Sequence, residues 1–273
     1  MMLRIGQIEY ANCTPLFHLL KERFPCDDYE FISGVPAALN ALLANGRIDV
    51  CPSSSIEYAV HSERYRILPD LSISSDGAVA SVLLFTRVPV EELHGRKILL
   101  SSESATSVNL LKVLIKQLYC CDCEYEINTR NISDALSTAP ALLLIGDAAL
   151  RASINQPDVK VYDLGEVWRS WTGLPFVFAL WLCRTEVSEN ESLLELSRHL
   201  TQAKQLAALH YERIVELTGE LSWMEPEHLL SYWRNNISYH LGPRYITGLK
   251  LFYQKCYEMG LVKSIPTLNF TSS

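Results

Sequence analysis

The apolar positions along this chain change period several times, and the changes mark its elements. Leu3 to Ile8 reads as a short strand that passes through Tyr10, Asn12 and Thr14 into a helix that Pro15 can start. Tyr29 to Ser33 is a second strand, Val35 to Asn45 a helix ended by Gly46, and Ile48 to Cys51 a third strand. Strands are expected at Leu71 to Asp76 and Ala78 to Thr86, the second leading into another lobe near Arg87. That lobe should hold strands at Lys97 to Leu100, Cys123 to Asn128 and Ala141 to Ile145, with a helix from Ser107 to Tyr119. Phe176 to Leu182 is apolar throughout, as a strand buried on both faces must be, and is expected to carry the chain back. From Glu189 onward the spacing is helical, with further helices at Glu225 to Asn235 and Pro243 to Met259. Two crossings predict an α/β protein of two lobes, one from residues 1–86 plus 183–273 with a helical C-terminal region, the other from 87–182, and a ligand cleft between them.

Three junctions have the same character. Asn12 and Thr14, then Ser53 to Ser55, then Ser104, Thr106 and Ser107 each place side-chain oxygens where a strand gives way to a helix. One such turn is usually a simple cap, in which a hydroxyl takes up free backbone N–H groups. Three of them, all at strand ends, point to a shared anion-binding cleft, because helix starts offer donors and a positive dipole end. Ser53, Ser55, Thr106 and Ser107 are the expected carboxylate ligands, with Ser104 beside them. The segment DLGEVWRSWTGLPFVFALW (163–181) sets a TGLPF turn against the buried strand, which places Thr172 and Gly173 near the pocket, with Asp163 and Trp168 in support.

Composition narrows the partner. The 273 residues carry a net charge of −7 with pI near 5.5 and show no basic stripe, which argues against nucleic acid. No membrane span is apparent, and the opening MMLRIGQIEY has too short an apolar run for a secretory signal, so a cytoplasmic location is expected. Of eight cysteines only Cys120, Cys121 and Cys123 cluster, without a second Cys or His pair at metal-binding spacing, so neither a metal nor disulfides are expected. No histidine stands out as catalytic: His18 lies inside the first helix and could point into the cleft, and the other six read as surface or core residues.

Longer motifs carry a resemblance. Tyr10, Asn12 and Pro15 in a Y-x-N-x-x-P turn, Gly34 to Pro36, GRIDVCPSSSIEY (46–58), SISSDGAVASVLL (72–84), SESATSVNLL (102–111), IGDAAL (145–150), the 163–181 segment and HLGPRYITGLKLFYQ (240–254) together resemble the MqnA family, the chorismate dehydratases of the futalosine route to menaquinone. The resemblance covers nearly the whole chain. It implies a fold like the type II periplasmic binding proteins and a reaction that removes water from chorismate to give 3-(1-carboxyvinyloxy)benzoate. No redox cofactor or metal is implied, since the product ring is aromatic and the reaction runs downhill. The family pattern brings Asn12 and Ser81 to the cleft as catalytic residues, one able to donate and accept, the other to donate to the departing oxygen or a carboxylate. Neither is a general base, which leaves a carboxylate of the substrate as the expected proton acceptor. Asp147 is the alternative base, though its favoured role is to N-cap a helix over Ala148 to Ala152. The expected partner is a small anionic molecule, chorismate, with no nucleic acid or membrane involved and a homodimer possible. A 1,4-dihydroxy-6-naphthoate synthase-like enzyme of the same route and a non-catalytic cytoplasmic carboxylate binder are the alternatives; the sister synthases usually carry a turn similar to SPCPNDTF where this chain has YANCTP.

Overall fold

The structure, a computed structural model, describes residues 2–155 and 159–272. In chain order its regular elements begin with β1 (Leu3–Ile8), α1 (Thr14–Arg23), β2 (Tyr29–Gly34), α2 (Pro36–Ala44), β3 (Val50–Ser54), α3 (Ser55–Val60) and β4 (Tyr65–Ser75). A second group follows: β5 (Val82–Thr86), β6 (Lys97–Leu100), α4 (Ala105–Val113), β7 (Glu124–Ile127), α5 (Ile132–Thr138), β8 (Ala141–Ile145), α6 (Gly146–Asn155), β9 (Lys160–Asp163) and α7 (Leu164–Thr172). The chain ends with β10 (Phe176–Arg184), α8 (Glu191–Val215), α9 (Pro226–Ser231) and α10 (Pro243–Glu258). Single π-turns extend α4 over Leu114–Leu118 and α9 over Tyr232–Asn236.

These strands form two five-stranded sheets, ordered β2-β1-β3-β10-β4 and β7-β6-β8-β5-β9. In the first, β1 is flanked by parallel partners, as βα units require, and β10 enters antiparallel between β3 and β4. Eight of the nine residues of β10 are buried, which accounts for its unbroken apolar run. The second sheet repeats the plan, with β5 antiparallel between β8 and β9.

The sheets divide the chain differently from the sequence expectation. Because β5 belongs to the second sheet and β10 to the first, the crossings lie at 76–81 and 173–175, before each of these strands, and not at Arg87 and after Leu182. Strand β4 begins at Tyr65, earlier than Leu71, whereas the strand expected over Ala78 to Thr86 begins only at Val82. Residues 79 and 80 cannot join a ladder, since the Asp163 carboxylate takes both of their N–H groups and Ala80 lies at φ 58°.

Candidate active site

A cavity of about 50 Å³, within about 500 Å³ of space that includes open solvent, lies between the two lobes. The first lobe contributes Tyr10 and Asn12 from the turn after β1, Pro36, Ser54, and Phe178 and Ala179 of β10. The second contributes Ser81, Val82, Ser104, Ser107, Ile145 and Gly146. None of the lining residues bears a charged group. Helices α2, α3, α4 and α6 all begin at this wall, through Pro36, Ser54, Ser104 and Gly146 respectively. An anion here meets hydroxyls and converging positive helix ends without a lysine or arginine among the lining residues.

The polar groups differ in how far the protein has engaged them. The Oδ1 atom of Asn12 is screened from solvent and accepts no hydrogen bond among the described residues. Buried acceptors are rarely left so, which marks this one as waiting for a donor on a ligand. Ser81, 2% exposed, accepts a hydrogen bond from the Tyr232 phenol at 2.9 Å and sits 3.4 Å from the Val79 carbonyl. Ser104 is the true N-cap of α4: its Oγ accepts from the Ser107 N–H at 3.3 Å and lies 3.1 Å from the Ser107 hydroxyl. Tyr10 donates to Glu103 at 2.7 Å. Burial, and then Glu103, push its phenol far above the ordinary value, so it stays protonated.

Asn12, Ser81, Ser104 and Ser107 are therefore brought together, while the other expected site residues lie elsewhere. Ser53 donates to Asn40 at 2.6 Å behind β3, because neighbouring strand residues face opposite sides; Ser54, between the two serines expected to bind, is the one that meets the cavity. Ser55 donates to the Val177 carbonyl at 2.8 Å. Thr106 reaches from the second lobe to accept the Ile56 N–H at 3.2 Å, supplying the cap that α3 lacks, and lies 3.4 Å from Ser55. These two hydroxyls clasp the lobes together. Thr172 donates back to the Trp168 carbonyl at 2.8 Å, and Gly173 ends α7 in the left-handed conformation at φ 72°. Trp168, fully buried against Phe176 and Phe252, is core.

Asp147 does not cap a helix, which starts at Gly146; its Oδ1 accepts the Ala11 N–H at 3.0 Å across the lobes. Burial lifts its pKa to about 6, and it faces a second, polar hollow with Thr14, His18 and Glu220 on the far side of the Tyr10 turn. Asn12 and Thr14 do not cap α1 either: Cys13 stands at that position without a side-chain bond. Tyr10, Ser54 and Glu103 are not among the expected site residues, although strand alternation identifies Ser54 and Tyr10 shares a turn with Asn12. Asp163, expected near the pocket, is structural. It caps α7 through the N–H groups of Gly165 and Glu166 at 2.9 and 3.1 Å and holds those of Val79 and Ala80 at 3.0 and 2.6 Å.

Among the described residues no three His, Cys, Asp or Glu side chains are grouped to hold a metal ion, and no helix is long and apolar enough to cross a membrane.

The profile of a family described as menaquinone biosynthesis matches residues 3–258. A chorismate dehydratase of Thermus thermophilus is 32% identical over 263 residues, spanning 91% of this chain and 93% of the relative. One from Campylobacter jejuni is 28% identical over 262 residues, spanning 94% and 98%. Among solved structures, an Archaeoglobus fulgidus protein superposes with a TM-score of 0.80 at 20% identity, covering 95% of this chain and 98% of its own. The periplasmic aliphatic sulphonate binding protein of Escherichia coli superposes with a TM-score of 0.68 at 16% identity, covering 99% and 94%. The last two likenesses establish the two-lobed fold.

Proposed function

The chain belongs to the menaquinone biosynthesis family, and from that premise we propose that it is a chorismate dehydratase, a hydro-lyase of the futalosine route acting in the cytoplasm on chorismate. The observation that carries the reading is the uncharged cavity in which Asn12 Oδ1 lacks a partner among the described residues and four helices begin. Such a site suits a compact dianion. Ser104 and Ser107 at the start of α4 hold one carboxylate, and Ser54 at the start of α3 faces them from the other lobe.

The cavity wall supplies no group able to act as a base at neutral pH: its one titratable side chain, Tyr10, is held protonated. The proton is therefore taken by the substrate's own enolpyruvyl carboxylate, which lies next to the ring carbon that bears the ether. That C–H pair becomes a ring double bond, the neighbouring C–O bond breaks, and the oxygen departs to become water. Asn12 and Ser81 orient and stabilise the departing hydroxyl, so position and preorganised dipoles carry the rate.

The test is incubation of the purified protein with chorismate, without added metal or nucleotide, followed by chromatography and mass measurement. Formation of an anion lighter by one water, with benzoate-like absorbance, supports the reading. Intact chorismate after exposure to folded protein would sink it and favour the naphthoate synthase or a binder.

A further inference from the structure

Tyr232 does not line the cavity, yet its phenol ends against a residue that does. It opens the π-turn over 232–236, a distortion often found at functional sites, and only 3% of its surface is exposed. Its oxygen lies 2.9 Å from Ser81 Oγ, and among the described residues that is the phenol's one hydrogen-bond partner. A buried O–H left without an acceptor is costly, so the phenol donates and the serine accepts. The serine's own proton is thereby barred from this bond. Among the described residues its one acceptor is the Val79 carbonyl, at 3.4 Å, well beyond the ordinary O–H···O length. The remaining direction is the cavity.

We infer that Tyr232 is a positioning residue that fixes Ser81 as a one-way donor aimed at the departing hydroxyl of the substrate. The inference rests on the dehydratase reading for its reaction. A hydroxyl that accepts a hydrogen bond becomes a stronger donor, so the chain Tyr232 to Ser81 to leaving oxygen strengthens as negative charge grows at its far end. No proton leaves Tyr232, whose phenolate is strongly opposed by burial. The C–O bond breaks with its electron pair on oxygen, Ser81 stabilises that oxygen, and water is completed by the proton equivalent that the substrate carboxylate took from the ring.

The experiment compares wild type, Tyr232→Phe, Ser81→Ala and the double variant for kcat and KM with chorismate and for Tm. Tyr232→Phe keeps the ring and its packing. It is expected to lower kcat roughly tenfold with KM changed by less than about twofold, and to lower kcat by less than about twofold once Ser81 is alanine. Unchanged kcat in Tyr232→Phe, or losses that multiply in the double variant, would overturn the inference. The same cycle on Tm tests the bond without any turnover: purely additive Tm losses overturn it as well. A folded wild type that leaves chorismate intact removes the dehydratase reading and this role with it, whereas an active wild type with a neutral Tyr232→Phe removes this role alone.

Discussion

The Asp163 carboxylate holds the backbone N–H of Ala80 at 2.6 Å and thereby keeps a non-glycine residue at φ 58°, one position before Ser81. Left-handed backbone at alanine costs about 1–2 kcal/mol, so the turn that presents Ser81 persists because the carboxylate compensates for it. Asp163→Ala would leave four N–H groups without their acceptor and is expected to cost about 3 kcal/mol, a fall in Tm of roughly 6–12 °C. Adding Ala80→Gly to that variant removes the left-handed penalty and should restore part of the Tm. Thermal denaturation of the three proteins decides it, and a glycine that restores nothing would show that the carboxylate acts only as the cap of α7.

Asn12 offers the opposite case. Its buried Oδ1 has no partner among the described residues, so the fold has little to lose with it. Asn12→Ala should lower kcat/KM by about a hundredfold or more, the effect of losing one preorganised polar contact, while Tm moves by no more than about 2 °C. Steady-state kinetics with chorismate set against a melting curve separates the two; turnover kept intact would remove Asn12 from the chemistry.

Much of this was legible in the residues, and the failures have a common cause. The strand-to-helix junctions, the buried β10 and the predominantly helical C-terminal third follow from period and composition alone. What one sequence does not display is direction: Ser53, Ser54 and Ser55 read alike until the pleat assigns only Ser54 to the cavity. Partnership across lobes is equally silent. Thr106 and Asp147 sit at the right junctions, yet their acceptors are taken by the backbone of Ile56 and Ala11, distant in the chain. Asp163 did carry a signal, since Glu166 three residues later gives it the spacing of a capping box at the head of α7. Tyr232 carried none, being an aromatic on a helical face where core packing is the ordinary reading.

Asp147 makes the stability depend on pH. Its carboxyl titrates at about 6 in the fold, against an ordinary 3.8, so between these values the folded state holds more protons than the unfolded one. The contribution is complete below about pH 4 and is lost as pH rises through 6. Asp147→Asn keeps an acceptor for the Ala11 N–H but does not titrate. Its Tm should gain on wild type across pH 4 to 6 and hold that gain above. A Tm difference that stays flat over this range would refute the assignment.

Gly146 tests how closely the lobes fit. A Cβ there would come within 2.7 Å of the Tyr10 ring, and the backbone φ of 57° already disfavours a side chain. Gly146→Ala should displace Tyr10 from Glu103, lower Tm by several degrees and raise KM for chorismate more than tenfold. Wild-type KM in a folded variant would mean that this contact does not shape the cavity.

The two crossings also bear on how such a molecule can change over time. Arg244 of α10 binds Asp76, where the chain leaves the first sheet, and the Gly173 carbonyl at 2.9 Å, where it returns; Arg169 holds Asp76 as well at 2.6 Å. The second lobe is thus a long loop tied at its neck by two guanidiniums. The entropy of closing such a loop grows only with the logarithm of its length. Residues can be gained or lost on the lobe's outer surface at little thermodynamic cost, and lineages are free to remodel that surface while the neck keeps the inner wall in register.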